Sequence, residues 1–197
     1  MTVQESRHDA HHDLTWLAGA LARAVFLRLN ASSRVRRALE HLAACDLSLH
    51  DEMPSPALAP ACRWLPEALT AALRGAEEAA MALAAAHEHL AWRAVPDVAP
   101  ARAAATAQVA GAKGPLLCRR GRLRLLLTAP QARMPLRDDD APANTSQLLF
   151  VLAGEAAWRD EHGALRHVLP ADGAIMPAGT HIMSVSPTPL LAAVLRA

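Results

Sequence analysis

The chain has 197 residues, of which 52% are hydrophobic, and its 20 Lys and Arg residues nearly balance 19 Asp and Glu residues. This length suits one domain, or a compact barrel with a helical extension, and the net charge of +1 argues against nucleic acid as a partner. No run of about 18 apolar residues and no apolar leader segment occurs, so we expect a cytoplasmic protein with no membrane partner.

The cysteine and aromatic content limits which structural features the chain can have. Cys45, Cys62 and Cys118 are an odd number without Cys-x-x-Cys spacing, which favours buried thiols over disulfides or a zinc ribbon. Tyrosine is absent from the chain, and aromatic residues make up only 3% of it.

The N-terminal part is predicted to be helical. Residues 1–13 are expected to form a flexible, solvated N-terminus, and the histidines in it, His8, His11 and His12, are not predicted to bind metal. From Asp13, a suitable N-cap, apolar residues recur at steps of three and four, which is typical of an amphipathic helix. These residues are Leu14, Leu17, Leu21, Val25 and Leu29.

Further helices are expected over residues 33–45, 66–74 and 76–90, with a proline-rich linker between the first two. The arginines near the start of the 33–45 helix do not indicate a DNA-recognition helix, because they lie at the wrong end of the helix dipole. The helical region is thus predicted to span residues 14–92. Residues 101–112 are alanine-rich and are expected to be irregular.

The C-terminal part carries strand patterns. In residues 122–128, leucines alternate with Arg122 and Arg124, and we interpret the arginines as the solvent side of a half-buried strand. An anion site is the alternative interpretation. Residues 146–183 contain short apolar segments separated by turn signals every eight to twelve residues, which indicates a small antiparallel barrel or sandwich. A last strand is predicted over residues 190–195.

The order of these segments carries a family resemblance. Gly154, Glu155 and Trp158 follow an apolar strand, and Ala-Asp-Gly-x-Ile-x-Pro-Ala-Gly-x-His follows over residues 171–181. With residues 62–65, 90–93 and 111–117, the chain resembles the cupin dimethylsulfoniopropionate lyases from about residue 14 to its C-terminus. The resemblance implies an α+β fold, in which the helical region packs on a cupin-type antiparallel β-barrel over residues 105–197.

The resemblance also implies a chemistry. In this family a divalent metal holds the substrate carboxylate, and a tyrosine removes the adjacent proton. Dimethyl sulfide then leaves and acrylate remains, which is a β-elimination. The metal would be zinc, manganese, iron, cobalt or nickel if the site is functional, and no metal is the alternative.

Several positions of the family's site pattern are replaced in this chain. Asp139 falls where the His-x-His begins, Gln147 takes the place of the glutamate, and Leu149 takes that of the tyrosine. His181 matches the last histidine. The resemblance therefore implies His181 and Asp139 as metal ligands, and Asp139 as the catalytic residue.

The predicted substrate-binding residues are Gln147, Phe150 and Trp158, whose aromatic rings suit contact with a sulfonium. Two functions stay open. The first is a metal-dependent carbon–sulfur lyase. The second is a non-catalytic cupin, a pseudoenzyme that binds a small molecule or acts as an interaction or structural protein. A small molecule is the expected partner in either case, and a homodimer stays open.

Overall fold

Helices occupy the first half of the chain and strands the second. The computed structural model describes residues 3–28, 33–43, 47–52, 54–118, 121–136 and 145–196. The helices are α1 (Val3–Arg28), α2 (Ser33–Ala43), α3 (Leu65–Ala72) and α4 (Glu77–Ala86), with short 3-10 helices at Pro60–Trp64 and His87–His89. Among the described residues, no helix combines the length and apolar character that crossing a membrane requires.

Helix α1 presents the predicted apolar face to the core. Leu14, Leu17 and Leu21 are buried in it, as the spacing of three and four residues predicts. The helix begins at Val3, not at the predicted cap Asp13. Its earlier part is held because Ala10 is buried and His11 Nε2 lies 2.7 Å from the carbonyl oxygen of Leu47.

Helices α3 and α4 begin near their predicted positions but are shorter than predicted. Pro66 and Glu67 lie in the first turn of α3, where a missing N–H costs nothing and a negative charge suits the helix dipole. Helix α4 ends at Ala86, and the chain tightens into a 3-10 turn before it reaches Leu90.

Ten strands follow in the described residues, and they form two antiparallel sheets. The strands are β1 (Arg93–Ala94), β2 (Ala104–Ala110), β3 (Arg122–Thr128), β4 (Arg133–Pro135), β5 (Ser146–Ala153), β6 (Ala156–Arg159), β7 (Leu165–Val168), β8 (Gly173–Pro177), β9 (His181–Ser184) and β10 (Leu190–Arg196). The first sheet has the order β1-β2-β3-β10-β5-β8 and the second the order β4-β9-β6-β7. The predicted last strand thus lies inside the larger sheet, between β3 and β5.

The larger sheet is buried on both faces. On β5, Leu148, Phe150 and Leu152 pack against the helices, whereas Leu149 and Val151 face the smaller sheet. The molecule is therefore layered as helices, six-stranded sheet and four-stranded sheet, which confirms the predicted α+β class. In the described residues the two sheets face each other without joining into one hydrogen-bonded cylinder. We call the space between them the barrel interior.

Strand β2 corrects one prediction. It lies within residues 101–112, which were expected to be irregular because alanine has a weak preference for strands. Ala105 and Ala107 are buried under the helices, and the whole strand pairs with β3. The small side chains let the helical layer approach the sheet closely, so tertiary packing outweighs the intrinsic preference.

Candidate functional site

One end of the barrel interior is lined by polar side chains. We call it the arginine end, and it consists of Arg122, Arg124, Gln147 and Arg196. It lies where β3 and β5 begin and β10 ends. The rest of the interior is apolar, with leucine, valine, isoleucine, methionine and alanine side chains from both sheets.

The alternation of side chains along β3 places Arg124 on the face that points into the barrel interior. Leu123 and Leu125 pack against the helices, and Leu126 packs in the interior core, so Arg124 shares the interior face with Leu126. The prediction that these arginines form a solvent side was wrong. The alternation correctly separated two faces, but the helical layer covers the leucine face and the smaller sheet covers the other.

The strand register brings the arginines together. Arg122 pairs directly with Arg196 across β3 and β10, and Arg124 pairs with Val194. Leu195 pairs with Leu148 across β10 and β5, so the next residues on those strands, Arg196 and Gln147, are neighbours. All three arginines are partly buried.

Gln147 connects this cluster to the second sheet. Its side chain is only 3% exposed, its Oε1 accepts a hydrogen bond of 3.2 Å from Arg124 Nη2, and its Nε2 donates one of 2.7 Å to the carbonyl oxygen of Leu136. Both heteroatoms of the amide therefore have protein partners. The side chain ties the end of β4 to the start of β5.

The predicted substrate-binding residues do not lie together. Trp158 packs in the interior core, on the same side of the sheets as Gln147. Phe150 is 1% exposed and lies in the core between the helices and the larger sheet, on the opposite face of β5. Successive residues of a strand point to opposite faces of the sheet. Phe150 therefore points towards the helices, whereas its neighbours Leu149 and Val151 point into the barrel interior.

His181 lies at the start of β9, opposite Pro135. It is exposed, whereas Ile182 and Ser184 are buried and Ile182 belongs to the interior core. The imidazole therefore extends from the outer face of the smaller sheet. Asp139, the other predicted ligand and the predicted catalytic residue, lies outside the described residues. Leu149, at the position of the family's tyrosine, is fully buried in the interior core.

The side chains at the arginine end are not suitable ligands for a divalent metal ion. Among the described residues, no group of three or more His, Cys, Asp or Glu side chains is placed to hold a metal ion. A guanidinium has no lone pair to donate, and its charge repels a metal cation. Among these four side chains, only the amide oxygen Gln147 Oε1 has lone pairs that could bind a metal ion, and it already accepts a hydrogen bond from Arg124.

Sequence reasoning missed Arg196 and misplaced Arg122 and Arg124. The pattern of β3 contains the signal, because charged residues that alternate with leucines mark one face of a strand. It does not say what covers that face. Ser184 was also missed. It is 1% exposed, and within the described part of the chain its Oγ has no hydrogen-bond partner.

No protein-family model and no curated protein sequence matches the chain. Among the solved structures that are similar to it, two examples cover most of its length. A chain from the crystal structures of the DMSP lyases RdDddP and RnDddQII has a TM-score of 0.62 and 20% identity, over 95% of this chain and 94% of that one. The DMSP lyase DddQ from Ruegeria pomeroyi DSS-3 has a TM-score of 0.59 and 20% identity, over 77% and 78% of the two chains. The chain therefore has the cupin fold of the solved dimethylsulfoniopropionate lyases.

Proposed function

We propose that this chain is a lyase-like cupin that binds a small molecule in its barrel interior without metal-dependent elimination. One observation carries the proposal, namely the hydrogen-bonded series from Arg124 through Gln147 to Leu136. Gln147 matches the glutamate ligand of the lyases, yet here an uncharged amide fills that position and both of its heteroatoms have protein partners. Cationic and amide groups at this place suit recognition of an organic ligand better than coordination of a metal ion.

The absence of tyrosine supports the same proposal. A β-elimination needs a base near the carbon that loses its proton, and the chain has no tyrosine at all. The matching position, Leu149, carries an aliphatic side chain that is buried in the interior core. Such a side chain packs and excludes water, but it cannot accept a proton.

A carbon–sulfur lyase is the second candidate, and the similarity of fold over 95% of the chain favours it. In that case an Asp or a His would have to serve as the base, and Asp139 and His181 are the predicted residues. Their substitutions, Asp139→Asn and His181→Ala, would then abolish turnover.

The experiment that separates the two candidates is headspace measurement of dimethyl sulfide. The purified full chain is incubated with dimethylsulfoniopropionate, with EDTA or with added zinc, manganese, iron(II), cobalt or nickel, beside an empty-vector preparation. We expect release at the level of that control under every condition. Metal-dependent release that is lost in His181→Ala or Asp139→Asn would establish the lyase and end the proposal of a metal-free binding protein.

A further inference from the structure

We propose that the chain forms a symmetric homodimer through its helical layer, in which the end of α1 from each copy enters a groove between α1 and α2 of the other copy. We call this surface the α1–α2 face. It consists of the exposed last turn of α1, residues 26–28, and the groove beside it. The inference concerns assembly, so it goes beyond the proposed function and does not depend on it.

The groove is an open apolar hollow with a volume of about 260 Å³. Side chains of two helices form its walls, with Ala22 and Phe26 on α1 and Leu39 and Ala43 on α2. The two alanines have short side chains, so the backbones of α1 and α2 leave room between them for a larger side chain. The groove can therefore receive an apolar residue from another helix.

The end of α1 exposes two large apolar side chains beside this groove. Leu27 is 80% exposed, and Phe26 is exposed on the side that the guanidinium of Arg36, 5.3 Å from the ring centroid, does not cover. A second hollow of about 190 Å³, with Glu77 and Glu78 in its wall, lies on the other side of α1. The end of α1 thus protrudes as a ridge. Single exposed apolar residues are common, but an apolar ridge next to an apolar groove indicates an interaction surface.

A second copy of the chain is the occupant that this face fits, because the face holds both a protruding residue and a hollow. Around a two-fold axis the same patch occurs on both sides of the interface, so Leu27 of each copy enters the groove of the other. A partner that only protrudes would leave Leu27 in water, and a partner that is only hollow would leave the groove empty. Symmetric pairing buries both.

The charges of the face are also complementary to themselves. Arg28 follows Leu27 at the end of α1, and Glu40 lies in the groove wall on α2. Both are exposed, and neither forms an ion pair within the described part of the chain. Arg23, at the edge of the groove, already pairs with Glu78 of its own chain. In the dimer, Arg28 of each copy would pair with Glu40 of the other.

The test is sedimentation velocity of the purified full chain over a series of concentrations. We expect a monomer–dimer equilibrium that shifts towards the dimer as the concentration rises. Leu27→Glu should raise the dissociation constant at least about a hundredfold, because two-fold symmetry removes the apolar contact at two places. Leu58→Glu is the matched control. Leu58 is 72% exposed but lies outside the α1–α2 face, so this variant should dimerise like the unaltered chain.

An exchange of charges tests the pairing separately from the apolar contact. Arg28→Glu and Glu40→Arg should each weaken the dimer about tenfold, because each places like charges opposite each other. The double variant Arg28→Glu/Glu40→Arg should recover most of the affinity. Every substituted residue is exposed, so the melting temperatures of all variants should stay close to that of the unaltered chain.

A monomer at every concentration would overturn the proposal. A dimer that Leu27→Glu leaves intact, or that Leu58→Glu weakens equally, would also overturn it, because another surface or non-specific association would then hold the copies together. A double variant no tighter than Arg28→Glu alone would exclude the pairing of Arg28 with Glu40. None of these results bears on the metal-free binding function, which the dimethyl sulfide measurement tests separately.

Discussion

Arg124 reaches from β3 to Gln147 on β5, although β10 lies between these two strands in the sheet. The contact is made on the interior face, above the backbone of β10, and it is continued by the bond from Gln147 Nε2 to Leu136. One amide side chain thus links both sheets at the arginine end.

Replacement of Gln147 should therefore lower the stability of the fold. Gln147→Leu keeps a similar volume but removes the hydrogen bonds to Arg124 and to the carbonyl oxygen of Leu136, which still accepts one from the backbone N–H of Gly179. The loss of these two bonds should lower the free energy of unfolding by about 1–3 kcal/mol. Urea denaturation followed by tryptophan fluorescence measures the change. Ser146→Ala, at the exposed neighbouring position, is the control and should differ from the unaltered chain by less than about 0.5 kcal/mol. Equal effects of the two substitutions would contradict the linking role of Gln147.

His181 should contribute little to the stability of the fold. Its side chain is exposed on the outer face of the smaller sheet, so His181→Ala should change stability by less than about 0.5 kcal/mol. Urea denaturation measures this, and a loss of more than about 1 kcal/mol would show that the imidazole makes a stabilising contact.

Much of the fold could be predicted from the sequence because its signals are local. The buried face of α1 follows from the spacing of leucines, and the strands of the C-terminal part follow from turn residues at regular intervals. The alanine-rich strand β2 could not be predicted, because its partner β3 and the helices above it determine its conformation.

The site could be predicted only in part, for a different physical reason. A strand pattern separates two faces but does not reveal which of them looks into the barrel. Gln147 and Trp158 fell on the interior face, whereas Phe150 fell on the face that packs against the helices. For Arg122, Arg124 and Arg196, the deciding fact is the pairing of β3 with β10, which joins segments more than sixty residues apart.

Two buried hydroxyl groups should respond in opposite ways to removal. Thr128 Oγ1 donates a hydrogen bond of 3.0 Å to the carbonyl oxygen of Ala129, so Thr128→Val should cost about 1 kcal/mol. Ser184 Oγ has no such partner within the described residues, so Ser184→Ala should leave the stability unchanged or raise it. Midpoints of thermal or urea unfolding compare the two variants. Destabilisation by Ser184→Ala as large as that by Thr128→Val would mean that Ser184 has a partner, such as a bound water.

The β6–β7 turn should depend on pH through Asp160. The hydrogen bond from Arg166 Nε, 2.8 Å long, is the main cause that holds the pKa of the Asp160 carboxyl below its ordinary value of 3.8, and backbone N–H groups of Ala164 and His162 assist. Because the pKa is lower in the folded state, the stabilising contribution is complete above pH 3.8 and is lost as the pH falls through the folded-state pKa.

Carboxyl-carbon NMR titration measures this directly. Arg166→Gln should raise the pKa of Asp160 towards its ordinary value. Arg159→Gln, in which the lost cation contacts the Gly163 carbonyl instead of the carboxylate, should leave it nearly unchanged. If both substitutions shift the pKa equally, general surface charge and not the Arg166 hydrogen bond sets it.

Gly154 and Gly163 have nearly the same backbone conformation but different surroundings. Alanine substitutions at the two positions therefore show whether steric contact or backbone strain contributes more to the loss of stability. Their φ angles are +75° and +77°, a region that side chains with a Cβ disfavour by about 1–2 kcal/mol. A Cβ at Gly163 would meet nothing within 4 Å, whereas a Cβ at Gly154 would lie 2.7 Å from the carbonyl oxygen of Pro189 and 2.9 Å from Leu190 Cα. These contacts are with backbone atoms, which cannot rotate away as a side chain can.

Gly163→Ala should therefore cost only the conformational strain, about 1–2 kcal/mol. Gly154→Ala should cost that strain and in addition a displacement of the segment that leads into β10, for a total of about 3 kcal/mol or more. Urea unfolding of the two variants gives the difference. Equal destabilisation by the two alanines would contradict a steric role of the close approach of residues 189 and 190 to Gly154.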